Sequence, residues 1–196
     1  MSDVVLHGSR DVRGTLDSPD GDADAIVVAC PPHPQDGGTR SDQRLTAVSD
    51  ALREEGIACL RFDYGDWDEG HGEQEDVKNA VEWARERYES VGLFGFSFGA
   101  TMALLAATDI ENLRATCALA PDSGRDDLDA VAALSDIDSP VKIFYAERDS
   151  TADWEPVVER ARELDIDVES LSADHFFLGQ ADKVAGRIAA FFDERL

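Results

Sequence analysis

The sequence predicts an α/β fold in which a mostly parallel sheet of about eight strands carries helices on both faces. Continuous apolar runs recur along the chain, segments with apolar residues at helical spacing separate them, and the links are short. Such runs are typical of strands buried on both faces of a parallel sheet. No linker rich in Pro, Gly or Ser divides the 196 residues, so residues 1–196 are predicted to form one domain.

Five strands are predicted in the first half of the chain. The first two are short and are expected to pair antiparallel. The third is an uninterrupted apolar run that ends at Pro31 and Pro32, since proline cannot donate to a strand ladder. The five predicted strands are Val4–Leu6, Val12–Leu16, Ala25–Cys30, Ile57–Phe62 and Val91–Phe96.

Helices separate or follow these strands. The first has apolar residues at helical spacing and a stop signal at Gly56, and the second follows an acidic loop from Asp63 to Glu75. The third is apolar almost all round, which predicts a buried helix. These predicted helices are Leu45–Leu52, Val77–Ala84 and Thr101–Ala107.

The same alternation continues to the C-terminus. The last predicted strand alternates with period two, as an edge strand does. The further strands are Ala115–Ala120, Val141–Ala146 and Ile166–Leu171, and the further helices are Asp126–Ser135, Val157–Leu164 and Val184–Phe192. Because the link between the first two of these strands is short, the fold is expected to have a minimal lid or none.

The charge balance is strongly acidic, with 42 acidic and 18 basic residues and a net charge of -24. Such a surface should repel nucleic acids and anionic membranes, so neither is an expected partner. The acids are spread along the whole chain, which favours adaptation to a salt-rich cytoplasm over docking to a basic partner. No signal peptide and no membrane-length apolar run is present, so a cytoplasmic location is expected. The sequence gives no indication of oligomeric state.

No metal site is predicted. The sequence has three cysteines, an odd number, and they lack CxxC spacing. We therefore expect buried free thiols at Cys30, Cys59 and Cys117. The acidic segment Asp66–Glu75 invites a calcium interpretation, but counting from Asp66 puts His71 where a calcium loop needs glycine. A solvated acidic loop, of unassigned function, is the preferred interpretation.

The segment Gly95-Phe96-Ser97-Phe98-Gly99 matches the pattern G-x-S-x-G. A strand runs into it and a helix leaves it, which is the context that this pattern requires. A tight strand-to-helix turn strains the serine backbone and lifts its hydroxyl clear of the sheet, and the glycines let neighbouring backbone pass closely. Ser97 is therefore the candidate nucleophile.

A serine nucleophile needs a base, and the base needs an orienting acid. Of four histidines, His175 follows the last strand and precedes the last helix, so it should reach the carboxyl edge of the sheet. Asp149 follows the preceding parallel strand and is the preferred acid. The alternatives are Asp153, Glu147 and Asp122. The order Ser, Asp, His along the chain is the order expected of this type of site.

A hydrolytic serine also needs two N–H donors for the oxyanion. One is expected at Phe98. The other should come from the loop after the Ala25–Cys30 strand, where the prolines cannot donate and Gln35 is the first suitable residue after His33-Pro34. His33 is a candidate for holding that loop in place; the alternative is a loop histidine with no special task.

These segments together resemble the small lidless α/β-hydrolases related to dienelactone hydrolases and short-chain serine esterases. The resemblance rests on His33-Pro34 with Gly37-Gly38-Thr39, Leu60–Tyr64, Gly72-Glu73, Gly95–Ala100 and Asp174–Phe177. It implies the α/β-hydrolase fold, catalytic roles for Ser97, Asp149 and His175, and backbone donors at Gln35 and Phe98.

Two departures from the relatives limit this resemblance. Relatives often carry a basic residue with glycine after the strand that ends at Phe62, whereas this chain has Tyr64-Gly65-Asp66. Dienelactone hydrolases proper use cysteine where this chain has Ser97. We therefore expect a cofactor-free serine hydrolase acting on a small-molecule ester, with thioester, lactone and peptide substrates still open. The alternative is a non-catalytic binding or regulatory protein on the same fold.

Overall fold

A computed structural model describes residues 1–8, 10–125 and 127–196. The strands are β1 (Ser2–Leu6), β2 (Val12–Asp17), β3 (Ala25–Cys30), β4 (Ala58–Asp63), β5 (Ser90–Phe96), β6 (Ala115–Leu119), β7 (Gly124–Arg125), β8 (Leu128–Asp129), β9 (Val141–Ala146) and β10 (Asp167–Leu171). The helices are α1 (Gln43–Glu54), α2 (His71–Arg85), α3 (Phe98–Ala107), α4 (Ala130–Ala133), α5 (Glu155–Glu163) and α6 (Ala181–Asp193). Short 3-10 turns lie at Pro34–Asp36 and Leu134–Asp136.

The main sheet has eight strands in the order β1-β2-β4-β3-β5-β6-β9-β10. The pairs β1–β2 and β2–β4 are antiparallel and all other neighbours are parallel. The predicted mostly parallel sheet with an antiparallel first pair is thus confirmed. The chain leaves β3 for β4 on one side and returns to β5 on the other. The order therefore reverses between β3 and β5, and ligands of open α/β sheets bind at such a point.

Helices cover both faces of the sheet, as predicted. Alternate strand residues face opposite cores: Val27 and Phe94 pack with α1 and α6, whereas Val28 and Leu93 pack with α2 and α3. Every residue of α3 after Phe98 is buried, which agrees with its apolar sequence. Within the described residues, no helix has the length and apolar character needed to cross a membrane.

The three cysteines are buried free thiols in the central strands, as predicted. Cys30 lies in β3, Cys59 in β4 and Cys117 in β6. Burial raises the pKa of each thiol, and it raises that of Cys59 to about 12. Because the thiolate is the reactive form, we expect these side chains to be unreactive in the folded protein.

Two predictions about local structure are wrong. The predicted helix Asp126–Ser135 is instead the small antiparallel hairpin β7–β8, followed by α4 and a 3-10 turn; Asp126 itself lies outside the described residues. Leu128 of this hairpin packs against Gly70, a contact between residues that are distant in sequence. The acidic loop predicted to end at Glu75 ends at Gly70, because α2 already begins at His71.

Candidate active site

Ser97 occupies the turn between β5 and α3, which meet with no residue between them except the serine itself. Its backbone has φ 56° and ψ -123°, a strained conformation for a residue with a side chain. Its N–H donates to the carbonyl of Leu119 at 2.9 Å, which fixes the turn to the neighbouring strand β6. The serine hydroxyl is thereby held at the carboxyl edge of the sheet.

The glycines of the motif are required by close backbone approach. A Cβ on Gly95 would lie 2.1 Å from the carbonyl oxygen of Gly99. A Cβ on Gly99 would lie 2.3 Å from the carbonyl oxygen of Cys30, at the end of β3. Both distances are far inside van der Waals contact, so the spacing of the motif reflects steric need.

The structure brings His175 between Ser97 and Asp149. Nε2 of His175 lies 2.9 Å from Oγ of Ser97, and Nδ1 lies 2.7 Å from Oδ2 of Asp149. The imidazole is nearly buried and packs against the ring of Phe96, with centroids 5.4 Å apart. Phe176 covers it edge-on at 5.3 Å. The three predicted side chains therefore form one continuous chain of hydrogen bonds.

Asp149 is held by its own loop as well as by His175. Its Oδ1 accepts the N–H groups of Thr151 at 2.8 Å and Ala152 at 3.1 Å. Its side chain is fully buried. Both carboxylate oxygens thus have partners, and Oδ2 is left to face the imidazole.

The alternative acids bond elsewhere. Asp153 accepts from the Ser123 hydroxyl at 2.6 Å. Asp122 accepts the N–H groups of Gly124 and Asp153, and Glu147 accepts from Ser170. Of the carboxylates that the structure describes, Asp149 is the one within hydrogen-bond distance of His175.

The two predicted oxyanion donors lie in different segments: Phe98 directly follows Ser97, and Gln35 lies after β3. Phe98 is the first residue of α3, so its N–H belongs to the free donors of a helix N-terminus. Gln35 lies in the 3-10 turn after β3, and its N–H donates to Nδ1 of His33 at 3.3 Å. The Gln35 amide is therefore engaged with His33 in this structure.

A cavity of about 500 Å³ opens beside Ser97. Its size falls within the usual range of small-molecule sites. One wall is aromatic, another comes from the β7–β8 hairpin, and several carboxylates stand at the rim. The lining includes His33, Asp36, Trp67, Glu69, His71, Ser97, Phe98, Thr101, Met102, Asp122, Arg125, Asp127, Leu128, Thr151 and His175.

The loop between β4 and α2, which carries Trp67, is fixed by two buried carboxylates. Glu73 accepts the N–H groups of Asp68 at 3.0 Å and Gly70 at 2.8 Å. Asp76 accepts the N–H of Gly65 at 2.9 Å, and burial raises the pKa of its carboxyl group.

Arg10 supplies the basic group that the sequence lacks at this loop. Its Nε donates to Asp76 at 2.9 Å and its guanidinium lies 3.6 Å from Glu73. Arg10 does not stand out in the sequence, because it precedes its partners by more than sixty residues. The Gly72-Glu73 pair, which lies in the first turn of α2, indicates the cap of the helix but not the role of Arg10.

No metal site emerges from the acidic segment. Among residues 1–8, 10–125 and 127–196, no group of three or more His, Cys, Asp or Glu side chains has a metal-binding arrangement. His71 lies 3.8 Å from Asp127 of the hairpin, and this pair bridges two walls of the cavity.

Comparisons with known proteins point in one direction. Residues 62–137 match the family described as X-Pro dipeptidyl-peptidase (S15 family). No protein of curated function matches the sequence. An α/β serine hydrolase homologue from Coxiella burnetii is 26% identical, with a TM-score of 0.85 over 97% of this chain and 96% of that one.

Further solved structures share the fold over nearly their whole length. A lidless α/β serine hydrolase from Xanthomonas campestris is 26% identical, with a TM-score of 0.82 over 96% of this chain and 92% of that one. The esterase domain of a Rhodothermus marinus protein is 18% identical, with a TM-score of 0.80 over 99% and 98% of the two chains. These likenesses support a hydrolase as the class of enzyme. The chain has the α/β-hydrolase fold and resembles the lidless serine hydrolases that are built on it.

Proposed function

We propose that the protein is a serine hydrolase that cleaves a small ester by acyl transfer. Ser97 is the nucleophile, His175 the general base and Asp149 the acid that orients the histidine. The observation that carries this proposal is the hydrogen-bond chain from Asp149 through His175 to Ser97, at 2.7 Å and 2.9 Å. With Nδ1–H donating to Asp149, the Nε2 lone pair of His175 faces the serine hydroxyl.

Acylation begins when the Ser97 hydroxyl loses its proton to Nε2 of His175 and its oxygen attacks the ester carbonyl. The resulting imidazolium donates from Nδ1 to Asp149, whose negative charge stabilises it. The tetrahedral intermediate collapses when the alcohol leaves with the proton from Nε2. An acyl group then remains on Ser97.

The oxyanion of that intermediate is proposed to accept from the N–H groups of Phe98 and Gln35. The start of α3 supports the first assignment, since a helix N-terminus favours negative charge. The second requires the Gln35 N–H to leave Nδ1 of His33. A charged oxygen can displace a neutral acceptor at 3.3 Å, because hydrogen bonds to charged groups are roughly twice as strong as neutral ones.

Deacylation repeats these steps with water in place of the alcohol. His175 takes a proton from the water, which attacks the acyl carbonyl, and then returns a proton to Oγ of Ser97 as the acid leaves. Side chains, backbone N–H groups and water complete this reaction, so the proposal includes no cofactor.

A small-molecule substrate fits the shape of the site. The cavity is about 500 Å³, and Trp67 and Phe98 offer it an apolar wall. The short segment between β6 and β9 leaves the cavity without a large cover. The likeness to lidless serine hydrolases supports acyl transfer by a serine, and an ester is the substrate that we propose.

Labelling with a fluorophosphonate probe in concentrated potassium chloride tests the proposal. The wild type and Ser135→Ala, a change at an exposed serine, should be labelled, and Ser97→Ala should not. A panel of p-nitrophenyl esters with graded acyl chains then defines the substrate range. A folded wild type that shows no Ser97-dependent labelling would favour a non-catalytic binding protein instead.

We also propose that the acidic surface is an adaptation to a salt-rich cytoplasm. Most of the negative charge faces solvent. Among the described acidic residues, those that are buried over the whole residue are Asp17, Glu73 and Asp76. Three unpaired thiols suit a reducing compartment. Screening of self-repulsion should raise the Tm as potassium chloride rises from 0.1 to 2 M. An unchanged or falling Tm would contradict this adaptation.

A further inference from the structure

His33 stands at the wall of the cavity beside two aromatic rings. Its ring centroid lies 4.6 Å from the ring of Trp67 and 4.7 Å from that of Phe98. The residue is half-buried and lines the same cavity as Ser97. These two aromatic neighbours, whose own ring centroids are 5.7 Å apart, therefore restrict the orientation of the imidazole.

The hydrogen bond from Gln35 determines which ring nitrogen of His33 carries the proton. The Gln35 N–H donates to Nδ1 at 3.3 Å, so Nδ1 must present a lone pair. A neutral imidazole then carries its proton on Nε2. Among the described residues, no side chain or carbonyl accepts from that Nε2–H. The structure thus holds a fixed N–H donor at the cavity without a protein acceptor.

The position of this donor relates it to the acyl half of a substrate. His33 contacts the ring of Phe98 and binds the N–H of Gln35, and these two residues are the proposed oxyanion donors. The carbonyl oxygen between those donors belongs to the acyl group. An acceptor that meets the Nε2–H is therefore expected close to the scissile carbonyl, on its acyl side.

We propose that His33 is a substrate-binding residue whose Nε2–H donates to an acceptor oxygen on the carbon next to the scissile carbonyl. The substrate class is then esters of 2-alkoxy, 2-hydroxy or 2-oxo acids. This inference rests on the proposed function, because it assumes that Ser97 is acylated. It assigns His33 a contact that forms when the ester binds, while the Gln35 N–H still occupies Nδ1 and before that N–H turns to the oxyanion.

A pair of nearly isosteric substrates isolates this contact. p-Nitrophenyl methoxyacetate and p-nitrophenyl butyrate differ in that an ether oxygen replaces one methylene group. The ratio of kcat/KM for the two, compared between variants, cancels their intrinsic difference in reactivity. His33→Asn keeps an acceptor near Nδ1 but loses the Nε2 donor, whereas His33→Gln places an amide N–H near Nε2 and loses the acceptor.

We expect the methoxyacetate-to-butyrate ratio of kcat/KM to fall about 3- to 10-fold in His33→Asn, because one hydrogen bond between neutral groups is lost. In His33→Gln the same ratio should stay within about 2-fold of the wild-type value. An unchanged kcat/KM ratio in His33→Asn would show that His33 does not make this contact and would overturn the proposal. An equal loss in both variants would assign the effect to the aromatic ring and would also overturn the proposal.

Two controls keep the outcomes distinct. Fluorophosphonate labelling of Ser97 in each variant reports that the site is folded, and a wild type without labelling would refute the proposed function itself. Nitrogen-15 NMR of the wild type tests the tautomer with no substitution. A protonated Nδ1 on neutral His33 would overturn the inference, and a protonated Nε2 would support it.

Discussion

Replacing Asp149 by asparagine should almost abolish hydrolysis while leaving the fold intact. The reason lies in how the carboxylate is shared: Oδ1 accepts two N–H groups, from Thr151 and Ala152, and Oδ2 faces Nδ1 of His175. Two donors require an acceptor, so the amide oxygen of the new residue must take the Oδ1 position. Its NH2 group is then forced to point at the imidazole.

That reversal changes the tautomer of His175. A donor opposite Nδ1 favours the ring with a lone pair on Nδ1 and the proton on Nε2. Nε2 can then no longer accept the Ser97 proton across the 2.9 Å contact. We expect kcat to fall about 10⁴-fold, which corresponds to about 5 kcal/mol in the activation barrier. The free energy of unfolding should change little, since the two loop N–H groups keep their acceptor.

The assay is p-nitrophenyl acetate hydrolysis at pH 8 in concentrated potassium chloride, with fluorophosphonate labelling rates measured in parallel. Asp153→Asn and Glu147→Gln are matched controls, because both acids are exposed and bond to serines instead of His175. Both should keep activity within about 2-fold of the wild type. The reasoning is refuted if Asp149→Asn stays within 10-fold of the wild type, or if one of the controls loses as much.

Three further predictions follow from backbone geometry and burial. Ser97→Gly should unfold with a free energy about 1–2 kcal/mol higher than Ser97→Ala, because glycine relieves the strain at φ 56°; chemical denaturation that gives equal values would contradict this. Gly99→Ala should fail to fold or lose Ser97 labelling, since its Cβ would meet the Cys30 carbonyl. As a control, Gly186→Ala on the exposed face of α6 should raise the free energy of unfolding, measured by chemical denaturation, by about 0.5–1 kcal/mol. A thiol reagent at pH 8 should leave the native protein unmodified, because burial raises the pKa of all three thiols, that of Cys59 to about 12. The same reagent should modify all three cysteines in urea. Rapid reaction of the native protein would contradict this prediction.

The sheet was predictable because its strands are continuous apolar runs. Ala25–Cys30 and Val141–Ala146 have the same bounds in sequence and structure. Buried parallel strands need apolar residues on both faces, and this requirement is visible in the sequence without knowledge of any partner strand. The site residues follow from the same logic, since each of Ser97, Asp149 and His175 lies just after a strand end.

What escaped prediction depends on contacts between distant segments. The two-residue strands of the β7–β8 hairpin are too short to show periodicity, and the packing of Leu128 on Gly70 joins segments that are distant in sequence. The start of α2 was missed because Gly70, at φ 98°, has no capping side chain and Glu73 caps the helix from within. Arg10 reaches Asp76 across the fold, and no local pattern records such a pairing.

The β7–β8 hairpin also bears on how this protein can change over evolutionary time. It supplies one wall of the cavity, yet it is a separate two-stranded ribbon outside the main sheet. Insertions or replacements between Pro121 and Pro140 could remodel access to Ser97 without altering the register of any strand that carries the three site residues. Selection for new substrates and selection for retained chemistry would then act on different stretches of the gene, so one scaffold could diversify while its reacting groups stay fixed.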